Sequence, residues 1–156
     1  MPSRKNKEKK PTFSKKGNVE LAIDFCRLRD AQMTPLRIAV LKALWSEAHP
    51  LGAYKVRDLV SSKLKRDIAA PSIYRTLDFL CDLGVVSRIE SRNAYMACAH
   101  FEHDHACVFL VCDGCGDATE IENTALEQLI KSDANRVGFS LKHRVVELSG
   151  VCGACR

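Results

Sequence analysis

Two cysteine pairs, Cys112-Asp-Gly-Cys115 and Cys152-Gly-Ala-Cys155, stand 36 residues apart. Each pair can present two thiolates to one metal, and two such knuckles complete a four-thiolate zinc site. Gly114, Gly116 and Gly153 supply the backbone freedom that a tight knuckle turn needs. The gap is longer than that of a zinc ribbon. The four cysteines are therefore expected to staple the first strand of their domain to its C-terminus. A redox C-x-x-C belongs beside a βαβ pattern, which a pair at the very end of the chain fits poorly. Loss of the metal is expected to unfold this half, because binding free energy at such a site is folding free energy.

The stretch CAHFEHDHACVFLVCDGC, Cys98 to Cys115, holds more donors than one closed site can use. Besides the first knuckle it offers Cys98, Cys107, His100, His103 and His105, with Glu102 and Asp104 among them. Cys107 sits inside an apolar run and is expected to be core, as are Cys26 and Cys81 on apolar helix faces. His100-Phe-Glu102 is an H-x-E, and zinc deaminases pair H-x-E with P-C-x-x-C. Here Val111 replaces the proline, and the two motifs lie too close for separate helices to present them. A deaminase-like enzyme is thus a distant alternative, and the chain is expected not to be an enzyme.

The elements that must position these residues can be read from periodicity. The 156 residues suffice for one domain or two small ones. With 46% hydrophobic and 28% charged residues the chain reads as soluble and globular. It has no apolar run near the roughly 18 residues of a membrane helix and no apolar segment behind its basic N-terminus. A cytoplasmic protein with no membrane partner is expected, and in that compartment eight cysteines point to metal or redox chemistry rather than disulfides. Residues 1–18 carry seven Lys/Arg against one Glu. They are expected to form a disordered tail, either a solubilising arm or a non-specific phosphate clamp.

From residue 19 a helix capped by Asn18 should bury Leu21, Ala22, Phe25 and Leu28. A second begins at the N-cap Thr34 with Pro35 at its first position and turns Ile38, Leu41, Leu44 and Trp45 inward. A third follows the break at Pro50–Gly52, with Val56, Leu59, Val60 and Leu64 inside. The fourth, APSIYRTLDFLCDLG, buries Ile73, Leu77, Leu80 and Cys81. Two short strands then flank Ser91-Arg92-Asn93. Three helices and a hairpin, preceded by an additional helix, make a winged helix-turn-helix pattern over 19–97. The fourth helix is its reader. Tyr74 and Arg75 lie in its first turn, away from the apolar stripe, where such helices reach base edges. Arginine suits bidentate contact with guanine, and a tyrosine ring suits a thymine methyl. Arg37, Lys55, Arg57, Arg88 and Arg92 are candidate phosphate contacts; taken singly, each also reads as an ordinary solvated charge.

Residues 98–156 read as a small α/β domain. A buried strand, ACVFLVC, pairs across Gly114/Gly116 with DATEIE. A helix capped by Thr124 ends before Gly138, and a final strand lies within FSLKHRVVELSGVC. The expected class is α+β: an N-terminal winged-helix DNA-binding domain followed by a small α/β domain.

In this order, TPLR, PSIYRTLDFLCDLGVV, HDHACVFLVCDGC and VCGAC make the chain, from about residue 19 to 156, resemble the ferric uptake regulator family of metal-dependent repressors. RTLDFL and RNAYMAC are most similar to its zinc uptake regulators. The resemblance implies a homodimer whose C-terminal domain dimerises. When metal-loaded it binds an AT-rich palindromic operator in double-stranded DNA and represses zinc-acquisition genes. It also implies one structural and one regulatory Zn2+ per monomer. Of the regulatory ligands it implies, three match Cys98, His105 and Glu120; the fourth, a His or Asp in the wing, falls at Ser87. Serine is a poor zinc ligand beside thiolate and imidazole. His103, two residues from His105 and so on the same strand face if the strand extends that far, is the first substitute; His100 and a water molecule are alternatives. A third site of Asp104, Glu127 and His143 is implied for some members, with Glu102 a weaker extra, but a Thr124–Glu127 capping box would already engage Glu127. An iron-, manganese- or peroxide-sensing regulator of the same family is the alternative function; the thiolate of Cys98 favours zinc.

Overall fold

The computed structural model describes residues 15–102, 106–142 and 144–156. Their elements run α1 (Lys15–Leu28), α2 (Pro35–Ser46), α3 (Ala53–Leu64), α4 (Ala70–Asp82), β1 (Val86–Ile89), β2 (Ala94–Ala97), β3 (Cys107–Cys112), β4 (Ala118–Ile121), α5 (Thr124–Arg136) and β5 (Val145–Gly150). No described helix is long and apolar enough to cross a membrane.

Helix α1 starts at Lys15, so Asn18 lies inside it and does not cap it. Lysine is a good helix former, and the helix extends back through Lys15 and Lys16 into the segment expected to be disordered. Its buried stripe is Val19, Ala22, Ile23 and Cys26, while Leu21 and Leu28 are 53% and 87% exposed. Both the expected and the observed stripes obey a 3.6-residue period. The observed one places small Ala22 and Cys26 against the core. Phe25 takes the flank, edge-on to Phe101 with ring centroids 5.2 Å apart. Phe101 thus packs with the N-terminal core, beyond the expected boundary at residue 97.

Helix α2 begins as its sequence dictates. Thr34 Oγ1 accepts the Arg37 N–H at 3.4 Å, with Pro35 opening the helix; such a cap contributes about 1 kcal/mol. Leu41 and Leu44 are buried, as expected; Ile38 and Trp45 are only partly so, and Ala39, Val40 and Ala43 fill the rest of that face. Helix α3 buries Val56 and Val60, with Leu59 and Leu64 on the margin. Helix α4 buries Ile73, Thr76, Leu77 and Leu80. The Thr76 hydroxyl is satisfied by the Ser72 carbonyl at 2.8 Å. Cys81 is half-buried, and burial pushes its thiol up to about 12, so it is a packed thiol at neutral pH. Gly84 ends this helix at φ 76°, a conformation that side-chain-bearing residues adopt at a cost.

Strands β1 and β2 pair antiparallel, closed by a 3-10 turn over Glu90–Arg92 and by Asn93 at φ 46°. Leu51 and Tyr95 exchange two backbone hydrogen bonds of 2.9 and 2.8 Å, adding a short third strand to the wing. In the second half the sheet order is β4-β3-β5. Strand β3 is antiparallel to β4 and parallel to β5, with α5 in the crossover. The N-cap of α5 is Asn123, whose Oδ1 accepts the Leu126 N–H at 2.9 Å; Thr124 is already helical. The expected Thr124–Glu127 capping box is therefore not formed.

The two halves meet where the wing lies on β3. Ile89 and Met96 of the wing pack with Cys98, Cys107, Phe109, Val111 and Ala118. Alternation explains the set: Cys107, Phe109 and Val111 share one face of β3. Polar straps edge this contact. Arg92 donates to the Cys112 carbonyl at 2.9 Å and pairs with Asp113 at 3.2 Å. His49 Nδ1 lies 3.0 Å from Asp117. Glu147 of β5 accepts backbone N–H groups of the wing turn.

Candidate metal centres and nucleic-acid interface

The knuckles converge. Cys112 ends β3, its N–H bonded to the Asp117 carbonyl at 2.8 Å, and the turn closes with Gly116 N–H on Cys112 O at 2.9 Å. Cys152 and Cys155 form the second turn just beyond β5, the strand beside β3. The sulfurs of Cys112, Cys115, Cys152 and Cys155 all lie within 4.8 Å of one another, and those of Cys115 and Cys152 are 3.9 Å apart. Zinc–sulfur bonds of about 2.3 Å at tetrahedral angles span an edge of about 3.8 Å, so the donor set fits a zinc ion. Gly114 makes the approach possible: a Cβ there would stand 2.9 Å from Cys155 Cβ and 3.0 Å from its sulfur.

The backbone prepares the thiols unequally. The N–H groups of Cys152, first, and then of Cys115 and Gly114 hold the Cys112 thiol down to about 6. The Cys152 N–H lies 3.3 Å from that sulfur. The crowd of sulfurs, Cys152 foremost, pushes Cys155 up to about 12. One pre-formed thiolate beside reluctant thiols is a ligand set that a divalent cation completes by displacing protons.

A second cluster lies at the hinge between wing and sheet. Cys98 Sγ is 3.3 Å from Glu120 Oε1 and 3.8 Å from Cys107 Sγ, and the three donor atoms form a metal-capable group. Glu120 is oriented by its other oxygen, which takes the Ala99 N–H at 3.0 Å. Its Oε1 also lies 3.6 Å from His100 Nδ1. The hydrogen bond with Cys107 and then burial raise the Cys98 thiol far above its ordinary value. Ser87 is buried in β1, and its hydroxyl lies 3.3 Å from Cys107 Sγ.

Of the regulatory ligands expected from sequence, Cys98 and Glu120 are brought together. His103 and His105 lie outside the described residues. So do Asp104 and His143 of the expected third site. Its remaining member, Glu127, is held by Arg144 at 3.0 Å and Lys131 at 2.7 Å, and Glu102 is exposed. Cys107 is buried, as expected, yet its sulfur belongs to a donor cluster that core membership alone did not suggest. Nothing in the residue pattern around Cys107 separates a ligand from a packed core thiol.

Helix α4 starts at Ala70, so Tyr74 and Arg75 lie in its second turn rather than its first; Arg75 is exposed and Tyr74 is half-buried. Lys55 is exposed on α3, and Arg57 pairs with Asp58 at 2.9 Å and lies over the Tyr54 ring. Arg37 stacks on Phe79 at 3.4 Å and donates to the Gln32 carbonyl. Arg88 pairs with Glu90 at 3.2 Å and Asn93 at 3.1 Å. Arg92 is committed to the domain contact through Cys112 and Asp113.

A sequence-family model described as the ferric uptake regulator family matches residues 29–149. The Zinc uptake regulation protein of Escherichia coli (strain K12) is 34% identical over 131 residues, covering 83% of this chain and 76% of that protein. A Ferric uptake regulation protein of Bacillus subtilis (strain 168) is 31% identical over 132 residues, covering 80% and 85%. A solved zinc uptake regulator complexed with zinc and DNA superposes with a TM-score of 0.82 at 31% identity, covering 92% of this chain and 95% of that one.

Proposed function

Because this chain belongs to the ferric uptake regulator family, whose members are transcription regulators and not enzymes, we propose that it is a zinc-responsive repressor. It binds a palindromic, AT-rich operator as a metal-loaded homodimer, in the cytoplasm, and controls zinc-uptake genes. The observation that carries this reading is the approach of Cys98 to Glu120, 3.3 Å, across the hinge between the wing and the sheet. Cys98 directly follows β2 of the wing, and Glu120 belongs to β4 of the sheet. Zinc held there would supply a cross-link between them.

The residues' parts follow. Cys112, Cys115, Cys152 and Cys155 hold the structural zinc and keep β3, β5 and the C-terminus together. Cys98, His103, His105 and Glu120 are the regulatory ligands on this reading. Ligation at Cys98 would fix the end of β2 relative to β4, and so the orientation of the winged-helix half, α4 included, against the sheet. In a dimer that orientation sets the spacing of two reader helices for two half-sites. Tyr74 and Arg75 read bases; Arg37, Lys55, Arg57 and Arg88 are the nearby phosphate partners, and Arg92 contributes through the domain contact. Metal and operator must then strengthen each other's binding by one common factor.

Dimerisation is supported by what the second half leaves uncovered. Helix α5 buries none of its residues in the monomer. Leu110 and Leu148, cross-strand neighbours on β3 and β5, are 44% and 50% exposed, and Leu129, Val137 and Phe139 are exposed too. Such an apolar expanse is a partner surface. The thiolate at the hinge supports zinc over iron or manganese, although the Bacillus subtilis likeness keeps an iron sensor as the second reading. Operator titrations in zinc, iron(II) and manganese(II), paired with metal analysis, test both. One zinc resistant to chelation and a second whose removal abolishes DNA binding are expected; operator binding that persists after that removal overturns the reading.

A further inference from the structure

The wing position at which the resemblance to zinc uptake regulators implies a metal ligand is occupied by Ser87. Its neighbour across the hinge is a cysteine: Ser87 Oγ and Cys107 Sγ stand 3.3 Å apart, both buried. We infer that Cys107 is a ligand of the hinge site, standing in for the absent wing ligand, so that the centre is built from two thiolates and a carboxylate: Cys98, Cys107 and Glu120. The inference rests on the regulatory-site reading above and goes beyond it in ligand identity, charge and metal preference.

Geometry carries it. The Cys98–Cys107 sulfur separation is 3.8 Å. Two thiolates on one tetrahedral zinc are separated by about 3.8 Å, given bonds of about 2.3 Å. Glu120 Oε1 lies 3.3 Å from Cys98 Sγ, close to the roughly 3.5 Å edge that zinc–oxygen and zinc–sulfur bonds of about 2.1 and 2.3 Å produce. The three donor atoms lie within 4.8 Å of one another without any movement of backbone. Their carriers come from three places in the fold: Cys98 after β2, Cys107 at the start of β3 and Glu120 in β4.

Ser87 has a role in this arrangement. Its hydroxyl is placed to donate to the Cys107 sulfur, which steadies a thiolate and orients it, as hydrogen-bond partners of metal ligands commonly do. With three donors supplied by described residues, one tetrahedral position remains, and the second histidine invoked from sequence is not needed. Charge also fits. Two thiolates and a carboxylate give a divalent ion one net negative charge. Ser87 and Cys107 line a cavity of about 440 Å³ whose wall includes Arg29, Arg88, Lys142 and Arg144. Through Cys107 and Ser87 the donor cluster borders this basic cavity. On ligation each thiol releases its proton to water, and no redox step is involved. Two thiolates make the centre softer than the one-thiolate pattern, which favours zinc and cadmium over iron(II) and manganese(II).

The test uses the full chain with zinc retained in the four-cysteine site. Cobalt(II) is titrated into the hinge site, and the near-ultraviolet sulfur-to-cobalt charge-transfer band is read, since its intensity scales with the number of thiolates. The expected wild-type band is halved in Cys107→Ser and halved in Cys98→Ser, with the structural zinc unchanged. A wild-type band that Cys107→Ser leaves intact overturns the inference and leaves the regulatory reading standing. No cobalt uptake beside the structural zinc overturns both. Cadmium NMR of the unmutated chain, whose shift reports the number of sulfur ligands, decides the matter if Cys107→Ser fails to fold: two sulfurs are expected at the hinge, and one overturns the inference. The double variant Ser87→His/Cys107→Ala, which restores a wing ligand, is expected to bind cobalt with half the wild-type band; failure to bind any counts against the exchange of roles.

Discussion

The carboxylate of Glu147, in the middle of β5, accepts the backbone N–H of Glu90 at 2.6 Å and that of Ser91 at 3.2 Å. A side chain of the dimerisation half thus caps the turn of the wing. Burial acts to raise its pKa, but the hydrogen bonds from Ser91 and Glu90 outweigh it and hold the carboxyl below its usual value. The sign follows: a group depressed in the folded state stabilises above its unfolded pKa, and that contribution is lost as pH falls through the folded one. Glu147→Gln is expected to weaken operator binding about fivefold, equivalent to about 1 kcal/mol, with zinc content unchanged. It should also flatten the acid limb of the stability profile below the ordinary carboxylate range. An unaltered acid limb and unaltered operator affinity would show that the strap carries nothing.

Zinc at the hinge must compete with protons. The Cys98 thiol is raised by its hydrogen bond with Cys107 and by burial, so it is protonated at neutral pH and must be deprotonated to bind. Apparent zinc affinity there is expected to rise with pH, about tenfold per unit for each proton displaced. Competition with a chelator of known pH dependence, from slightly acid to slightly alkaline pH, measures the slope; a flat profile contradicts the assignment of Cys98.

Gly114 has a steric duty. A methyl group there would press on Cys155 at 2.9 Å, and overpacking of this kind costs about 1–3 kcal/mol. Gly114→Ala is expected to speed loss of the structural zinc to a chelator and to lower the thermal midpoint of the C-terminal half. Gly153→Ala, which has nothing within 4 Å of its added carbon, is the control and should do neither.

Removing one knuckle thiolate should be harsher. Cys152→Ser is expected to release the zinc and unfold the sheet domain, since that site's binding energy is folding energy. The helices α2 to α4 should remain folded, because their core forms a separate cluster. Circular dichroism and hydrogen exchange by mass spectrometry distinguish loss of β3–β5 protection from global unfolding.

At the DNA face, Arg75→Ala is expected to cost about 1–3 kcal/mol of operator affinity, roughly 5- to 150-fold, and to relax preference at one base pair. Lys55→Ala should weaken binding evenly across sequences and shallow its salt dependence. A Lys55 variant with sequence-selective effects, or an Arg75 variant with none, would reverse the two roles.

Much of this protein was legible in its residues because the governing forces are local. Thr34-Pro35 opened α2, Ile73, Leu77 and Leu80 fixed the buried face of α4, and two C-x-x-C pairs declared their shared site. Each signal lies within a turn or two of helix or within one knuckle. The face of α1 was not decided locally: Leu21 and Leu28 suit the helical period as well as Val19 and Ile23, and only the neighbouring surface selects between them. The cap of α5 moved from Thr124 to Asn123 because adjacent residues compete for that position almost equally.

The hinge shows where sequence stops. Residue types at 98 and 120, together with family likeness, named two donors, and the apolar run around Cys107 argued that it was packing. That argument holds, since Cys107 is buried among Ile89, Phe109 and Val111. Burial, however, does not say what a sulfur faces. The crossing of the wing over β3 places Ser87, Cys98 and Glu120 around Cys107, joining residues from separate elements. Such proximity is set by the docking of two halves through long-range contacts, and no periodicity along the chain encodes it.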